Sequence, residues 1–112
     1  MIINKTKNKI IAKIVHLADN PFKRMKGLLG RKNLEALEAM VIKPCNSIHT
    51  FFMRFPIDVL FVDKNSQVIK AISNIPPFRL SPIYFNSQFV VELPAGTIQT
   101  TNITKGDQLV IV

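Results

Sequence analysis

The sequence predicts a mainly β protein, a compact antiparallel β-sandwich or partly closed barrel with one or two short helices, the first near residues 20–37. Three observations support this fold class. After Glu38, short β-branched and aromatic runs follow one another, turn residues separate them, and most consecutive runs have no helical pattern between them. Parallel strands need such crossovers, so an all-parallel sheet is excluded. The 112 residues fit a single domain spanning 1–112.

The first element is predicted to be a strand between Lys5 and Ile14. Its lysines occupy odd positions, whereas Ile10, Ala12 and Ile14 occupy even positions, and this period of two predicts one wet and one buried face. His16 shares the parity of the inward set.

A helix is predicted to begin at Asp19-Asn20-Pro21, where a capping residue precedes a proline at the first helical position. Phe22, Met25, Leu28 and Leu29 continue at helical spacing.

The later strands are predicted from the runs AMVI, SIHTFFM, IDVLFV, QVIKAI, QFVVEL and QLVIV. Turn residues at 63–66 join the third and fourth of these runs into a hairpin. Prolines between Pro76 and Pro82 cannot donate ladder hydrogen bonds, so a long loop is expected there. Gly96 and Gly106 are expected in turns that need a positive φ.

Composition limits the functional classes. The net charge is +8, with 15 Lys and Arg against 7 Asp and Glu, which favours an anionic partner such as nucleic acid or a charged membrane surface. The basic residues form no block, however, and no recognition helix or RNA-binding signature is legible, so we do not expect nucleic-acid binding.

The cellular location is predicted from three features. The N-terminal stretch interleaves lysines with apolar residues, unlike a secretory signal, and no apolar run is long enough to span a membrane. A single cysteine, Cys45, cannot form an internal disulfide. A cytoplasmic protein is therefore expected, and its oligomeric state is not predicted.

The stretch CNSIHTFFM carries the densest chemistry. If it is extended, Cys45, His49 and Met53 lie on one face, in an order similar to the ligand loop of blue copper proteins, with His16 as the only further histidine. Residues four apart in a strand are separated by ~13 Å, which is too far for one ion. We therefore expect no metal and no cofactor.

An enzyme remains the alternative function. A thiol- or metal-dependent hydrolase would use Cys45 as nucleophile, His49 as base and Asp58 or Glu92 as the orienting acid. The same spacing counts against this arrangement, and no known cysteine-nucleophile signature surrounds Cys45.

Two carboxylates interrupt strongly apolar strands. Asp58 lies between Ile57 and Val59, and Glu92 lies within VVEL. An unpaired charge buried there would cost several kcal/mol. The expected partners of the two carboxylates are Arg24, His49 and Arg54. Together with Asp58 and Glu92 they would form a polar ligand pocket. The alternative is that both carboxylates cap turns or face water.

Four segments, RMKGLLGR at 24–31, CNSIHTFFMRFPIDVLFVD at 45–63, VVELPAGT at 90–97 and KGDQLVIV at 105–112, resemble in order and spacing the prokaryotic family called domain of unknown function 192. The resemblance covers nearly the whole chain. It implies a small, mainly β, sandwich-like fold and no established activity.

The motifs of that family fall on residues already selected from their chemistry. They match Arg24, Gly27 and Leu28, then His49 and Met53, then Asp58, and finally Glu92 and Gly96; Leu29 stands where the family usually has methionine. The sequence therefore predicts a non-enzymatic module that binds a small molecule or a peptide, and the predicted ligand-binding residues are Arg24, His49, Met53, Arg54, Asp58 and Glu92.

Overall fold

A computed structural model describes residues 1–20 and 31–112 and arranges them in two open β-sheets. The three-stranded sheet contains β1 (Ile2–Asn4), β2 (Lys9–Ala12) and β8 (Leu109–Ile111), in the order β2-β1-β8. The five-stranded sheet contains β3 (Ile14–Ala18), β4 (Glu38–Ile42), β5 (Ile57–Val62), β6 (Val68–Ile75) and β7 (Phe89–Pro94), in the order β3-β4-β7-β5-β6. A short helix, α1 (Thr97–Thr101), precedes β8. The predicted mainly β class is confirmed.

The described strands pair antiparallel, except that β3 and β4 run parallel. In the smaller sheet β1 lies between β2 and β8, so that Ile2 pairs with Ile111 at the other end of the chain. Among the described residues, no helix is long and apolar enough to cross a membrane.

The central strands of the larger sheet are buried on both faces. Every residue of β5 is buried, and so is every residue of β7 except Pro94, which is typical of central strands covered on both sides. The first core cluster joins the two sheets and includes Ile2, Leu60 and Val91. The second core cluster lies on the other face and includes Phe61, Val90 and, from the loops, Ile48 and Met53.

The predicted burial pattern of the first strand is wrong. Ile10 and Ile14 are exposed, whereas Ile11 and Ala12 are buried. The cause is a β-bulge: Ile2 pairs with Ala12 and Ile3 pairs with Ile10, so Ile11 is an extra residue that breaks the alternation. His16, assigned to the inward set, is also exposed.

The predicted hairpin and the long loop are confirmed. β5 and β6 pair antiparallel across a turn in which Asp63 Oδ1 accepts the backbone N–H groups of Asn65 and Gln67, both at 2.9 Å. The loop that contains Pro76 to Pro82 connects β6 to β7. Gly96 and Gly106 have φ values of 97° and 93°, as their turns require.

Two element predictions need correction. No helix is present over residues 31–37 of the helix predicted near 20–37, and residues 21–30 of that prediction lie outside the described residues. The segment SIHTFFM is a loop with one isolated bridge between His49 and Leu80, not a strand. Phe52 adopts a φ of 66° and the Met53 N–H bonds to Thr50 O at 3.2 Å, so a turn interrupts the alternation.

Candidate functional site

Two loops, residues 43–56 and 76–88, lie against each other and form what we call the loop platform. Thr50 is fully buried between them. Its N–H donates to Arg79 O at 2.9 Å, its hydroxyl donates to Pro76 O at 2.7 Å, and its carbonyl accepts the N–H of Phe78 at 3.0 Å. Ile48 and Ser81 add a reciprocal pair of 2.9 Å hydrogen bonds. The platform is therefore held by a network of hydrogen bonds although it lacks regular secondary structure.

The platform displays large apolar side chains to solvent. Phe85 is 84% exposed and Phe52 is 77% exposed, values that a core phenylalanine never reaches. Single exposed apolar residues are ordinary, but a concentration of them on one surface marks an interaction site. The exposed members of the platform are Phe51, Phe52, Phe78, Leu80, Ile83 and Phe85.

The charge around the platform has one sign. The sequence contains no aspartate or glutamate from residue 39 to 57 or from 64 to 91, a span that includes both loops. Lys43, Arg54 and Arg79 lie within the loops themselves. The two loops therefore combine exposed apolar side chains with basic ones and contain no acidic ones.

Three of the predicted site residues belong to this platform. His49 is exposed, and its ring stacks on Phe51 with centroids 5.4 Å apart. Arg54 is exposed, whereas Met53 is buried in the second core cluster beneath them. Arg24 lies outside the described residues.

Glu92 lies inside the protein, on the same face of the larger sheet as the second core cluster. It pairs with Met40 on β4 and with Val59 on β5, and only 3% of its surface is exposed. Burial raises the pKa of the Glu92 carboxyl to about 7, because desolvation penalises the charged form.

Asp58 lies on the opposite face of the same sheet. It pairs with Leu93 of the first core cluster, and it is fully buried. Its Oδ1 accepts the N–H of Asn74 at 2.7 Å, and its Oδ2 accepts those of Gly96 at 3.1 Å and Ile98 at 2.8 Å. The carboxylate thus joins β6 to the start of α1. Because Asp58 and Glu92 lie on opposite faces of the sheet, the structure does not bring them together.

The hydrolase arrangement is not assembled by the described contacts. Both oxygens of Asp58 are occupied by backbone donors, and the Cys45 thiol donates to Ser47 O at 3.0 Å. Within residues 1–20 and 31–112, no three His, Cys, Asp or Glu side chains lie close enough to hold a metal ion.

One polar cluster escaped the sequence analysis. Glu38 Oε2 lies 2.6 Å from His16 Nε2, and Arg31 Nη2 donates to both Glu38 oxygens at 2.8 and 3.0 Å. Burial pushes the pKa of Glu38 upward, but the hydrogen bonds from the Glu35 N–H, His16 and Arg31 outweigh it and lower the pKa. In the sequence, the position of Glu38 directly before the apolar run AMVI was the one indication of this cluster. Its contact with His16 depends on the parallel register of β3 and β4, which the sequence does not show.

Comparison with known proteins decides the family. The family model of domain of unknown function 192, described as "Uncharacterized ACR", matches residues 2–111. The chain belongs to this family. Family membership confirms the resemblance of the four motifs, and it carries no assigned activity.

Two relatives match nearly the whole of this chain. A UPF0127 protein of Thermococcus sibiricus is 33% identical over 113 residues, covering 97% of this chain and 73% of that protein. A UPF0127 protein of Pyrococcus furiosus is 34% identical over 113 residues, covering 96% of this chain and 95% of its own. Both relatives come from archaea, in keeping with the prokaryotic assignment.

A solved structure shares the fold. The crystal structure of a protein of unknown function from Novosphingobium aromaticivorans superposes with a TM-score of 0.86 at 21% identity. The match covers 98% of this chain and 82% of that chain. At this identity the likeness establishes the fold alone.

Proposed function

We propose that this protein is a non-enzymatic binding module whose loop platform takes an extended peptide with acidic and apolar side chains. The observation that carries the proposal is the number of exposed large apolar side chains on two hydrogen-bonded loops, neither of which contains a carboxylate. In this proposal His49 and Arg54 contact the peptide, and Met53 supports them from below. Glu92 and Asp58 have internal roles, and the contribution of Arg24 stays a prediction.

An extended peptide suits this surface because a sheet edge lies next to it. β6 is the last strand of the larger sheet, so one side of it has no strand partner among the described strands. Beside it runs a groove of about 280 Å³, between Ile72–Pro76 on one side and Arg79–Pro82 on the other. A peptide can add to such an edge by main-chain hydrogen bonds while its side chains enter neighbouring pockets.

The chemistry of the groove sets the peptide's preference. Ile72 and Leu80 line it and would accept an apolar side chain, whereas Arg79 also lines it and would pair with a carboxylate. A sequence that alternates apolar and acidic residues would present both kinds of side chain to the groove and the platform.

Selection from a random peptide library tests the proposal. We expect the intact protein to enrich peptides that combine acidic and apolar residues. Leu80→Ser should then weaken the binding of an enriched peptide at least tenfold in a fluorescence polarisation titration, because it removes a central apolar contact. Arg79→Gln should weaken acidic peptides more than versions with glutamine at the acidic positions.

Leu17→Ser is the matched control, because Leu17 is also exposed but lies on β3, at the other edge of the larger sheet. It should leave peptide affinity unchanged. Failure to enrich any peptide, or equal losses for Leu80→Ser and Leu17→Ser, would contradict the proposal.

The cytoplasmic location also stays a prediction, which cell fractionation would test.

A further inference from the structure

A second concavity lies at the other edge of the larger sheet, and Lys43 is the one loop-platform residue among those that line it. Its volume is about 560 Å³, and it opens between the edge strand β3 and the edge strand β8 of the smaller sheet. Cavities of 300 to 1,000 Å³ are the size that usually holds small organic ligands. We call it the inter-sheet groove.

The groove has one polar end. Lys43, Asn65 and Gln108 line it there, and the Lys43 ammonium lies 5.8 Å from the centre of the Phe89 ring. Backbone hydrogen bonds fix this end, since Leu109 N–H donates to Ser66 O at 2.8 Å. None of the residues that line the groove is an aspartate or glutamate, so the lysine charge is not neutralised from within it.

The rest of the groove is apolar and leads away from that lysine. Lys43 N–H donates to Ala18 O at 3.0 Å, which places the C-terminal end of β3 at the polar end. Along β3 the groove is then lined by Leu17 and by Val15, while Val41 lies opposite Leu17 on β4. The distance from residue 18 to residue 15 of a strand is roughly 10 Å, the reach of an acyl chain of about eight carbons.

We propose that the inter-sheet groove binds a free single-chain carboxylate of medium length. Its carboxylate pairs with Lys43 at the polar end, and its hydrocarbon chain lies along Leu17, Val15 and Val41. The single cation at the end of the apolar inter-sheet groove matches the single anion at the end of an apolar chain. A peptide would instead bring several polar groups into the groove, where they would lose hydrogen bonds to water.

Isothermal titration of the intact protein with decanoate, below its micelle-forming concentration, tests this site. Binding should weaken by up to about fourfold for each methylene removed in the series from decanoate to hexanoate, because each methylene transfers apolar surface out of water. Lys43→Met should weaken decanoate about tenfold and leave decanol unchanged, whereas Lys43→Arg should restore most of the decanoate affinity.

Location is tested separately by amide chemical shifts and by one blocking variant. Decanoate should shift the signals of Leu17, Val41 and Val110, and Leu17→Glu should abolish binding while the melting temperature stays near that of the parent. Leu80→Ser, on the loop platform, should bind decanoate normally. Binding without chain-length dependence, indifference to Lys43→Met, or shifts confined to the platform would overturn the proposal without bearing on peptide binding.

Discussion

Replacing Glu92 with glutamine is expected to abolish most of the loss of stability that the parent protein shows as pH rises from 5 to 8.5. Glu92 is buried, and its pKa in the folded protein is about 7, against an ordinary value of 4.5. The folded state therefore holds a proton that the unfolded state has already released. Glutamine is nearly isosteric with the protonated acid and cannot ionise.

The sign follows from proton linkage. Below pH 4.5 both states are protonated and burial of Glu92 carries no ionic cost. Between pH 4.5 and about 7 the unfolded state binds fewer protons than the folded state, so the free energy of unfolding falls as pH rises. Above pH 7 the accumulated loss is about 3 kcal/mol, which corresponds to a pKa raised from 4.5 to about 7.

Urea denaturation at pH 5, 6, 7, 8 and 8.5 measures this effect. The difference in unfolding free energy between Glu92→Gln and the parent should rise with pH by about 3 kcal/mol and level off above pH 7. The two proteins share every ionisable group except Glu92, so the contributions of the shared groups cancel in the difference. The matched control is Glu35→Gln, at an exposed position, which should follow the parent at every pH. Parallel curves for Glu92→Gln and the parent would refute the assignment.

Replacing Asp58 with alanine is expected to lower the free energy of unfolding by about 3 to 5 kcal/mol. The change removes a buried carboxylate that accepts three backbone N–H groups, those of Asn74, Gly96 and Ile98. The Ile98 donor is buried, so water does not readily replace the lost acceptor there. Asp58→Asn should cost less, because its remaining carbonyl oxygen can keep either the Asn74 bond or the other two.

Asp63→Ala provides the matched control for the Asp58 experiment. Asp63 Oδ1 also accepts two backbone N–H groups, but in a turn where those bonds are exposed. Water can therefore solvate the freed donors, and the expected cost is about 1 kcal/mol. Chemical denaturation at pH 7 measures both variants. If Asp58→Ala lowered the free energy of unfolding no more than Asp63→Ala, the assignment of an architectural role to Asp58 would be contradicted.

The sequence predicts those parts of the fold that depend on local chemistry. The hairpin of β5 and β6 follows from two β-branched runs around a polar turn, and the loop after β6 follows from its prolines. The prediction of which N-terminal side chains face inward was wrong, because one bulged residue, Ile11, reverses the alternation. A single sequence carries no signal for a bulge.

The candidate site depends on register, which a single sequence does not specify. Asp58 and Glu92 are both recognisable as carboxylates within buried strands, and both are indeed buried. Which face each occupies depends on the pairing of Asp58 with Leu93 and of Val59 with Glu92, and a shift of one residue would exchange the faces. The platform was missed for a different reason. Phenylalanine is usually a core residue, and only the structure shows that those of the platform are exposed.

The position of β1 between β2 and β8 has a consequence for synthesis in the cell. Since Ile2 pairs with Ile111, the smaller sheet cannot close until residue 111 has left the ribosome. Closing so large a loop before the contact forms is entropically costly, and topologies rich in distant pairings fold in milliseconds to seconds. Until β8 has emerged, the side of β1 that pairs with β8 has no partner, so its backbone groups are open to pairing with a wrong strand.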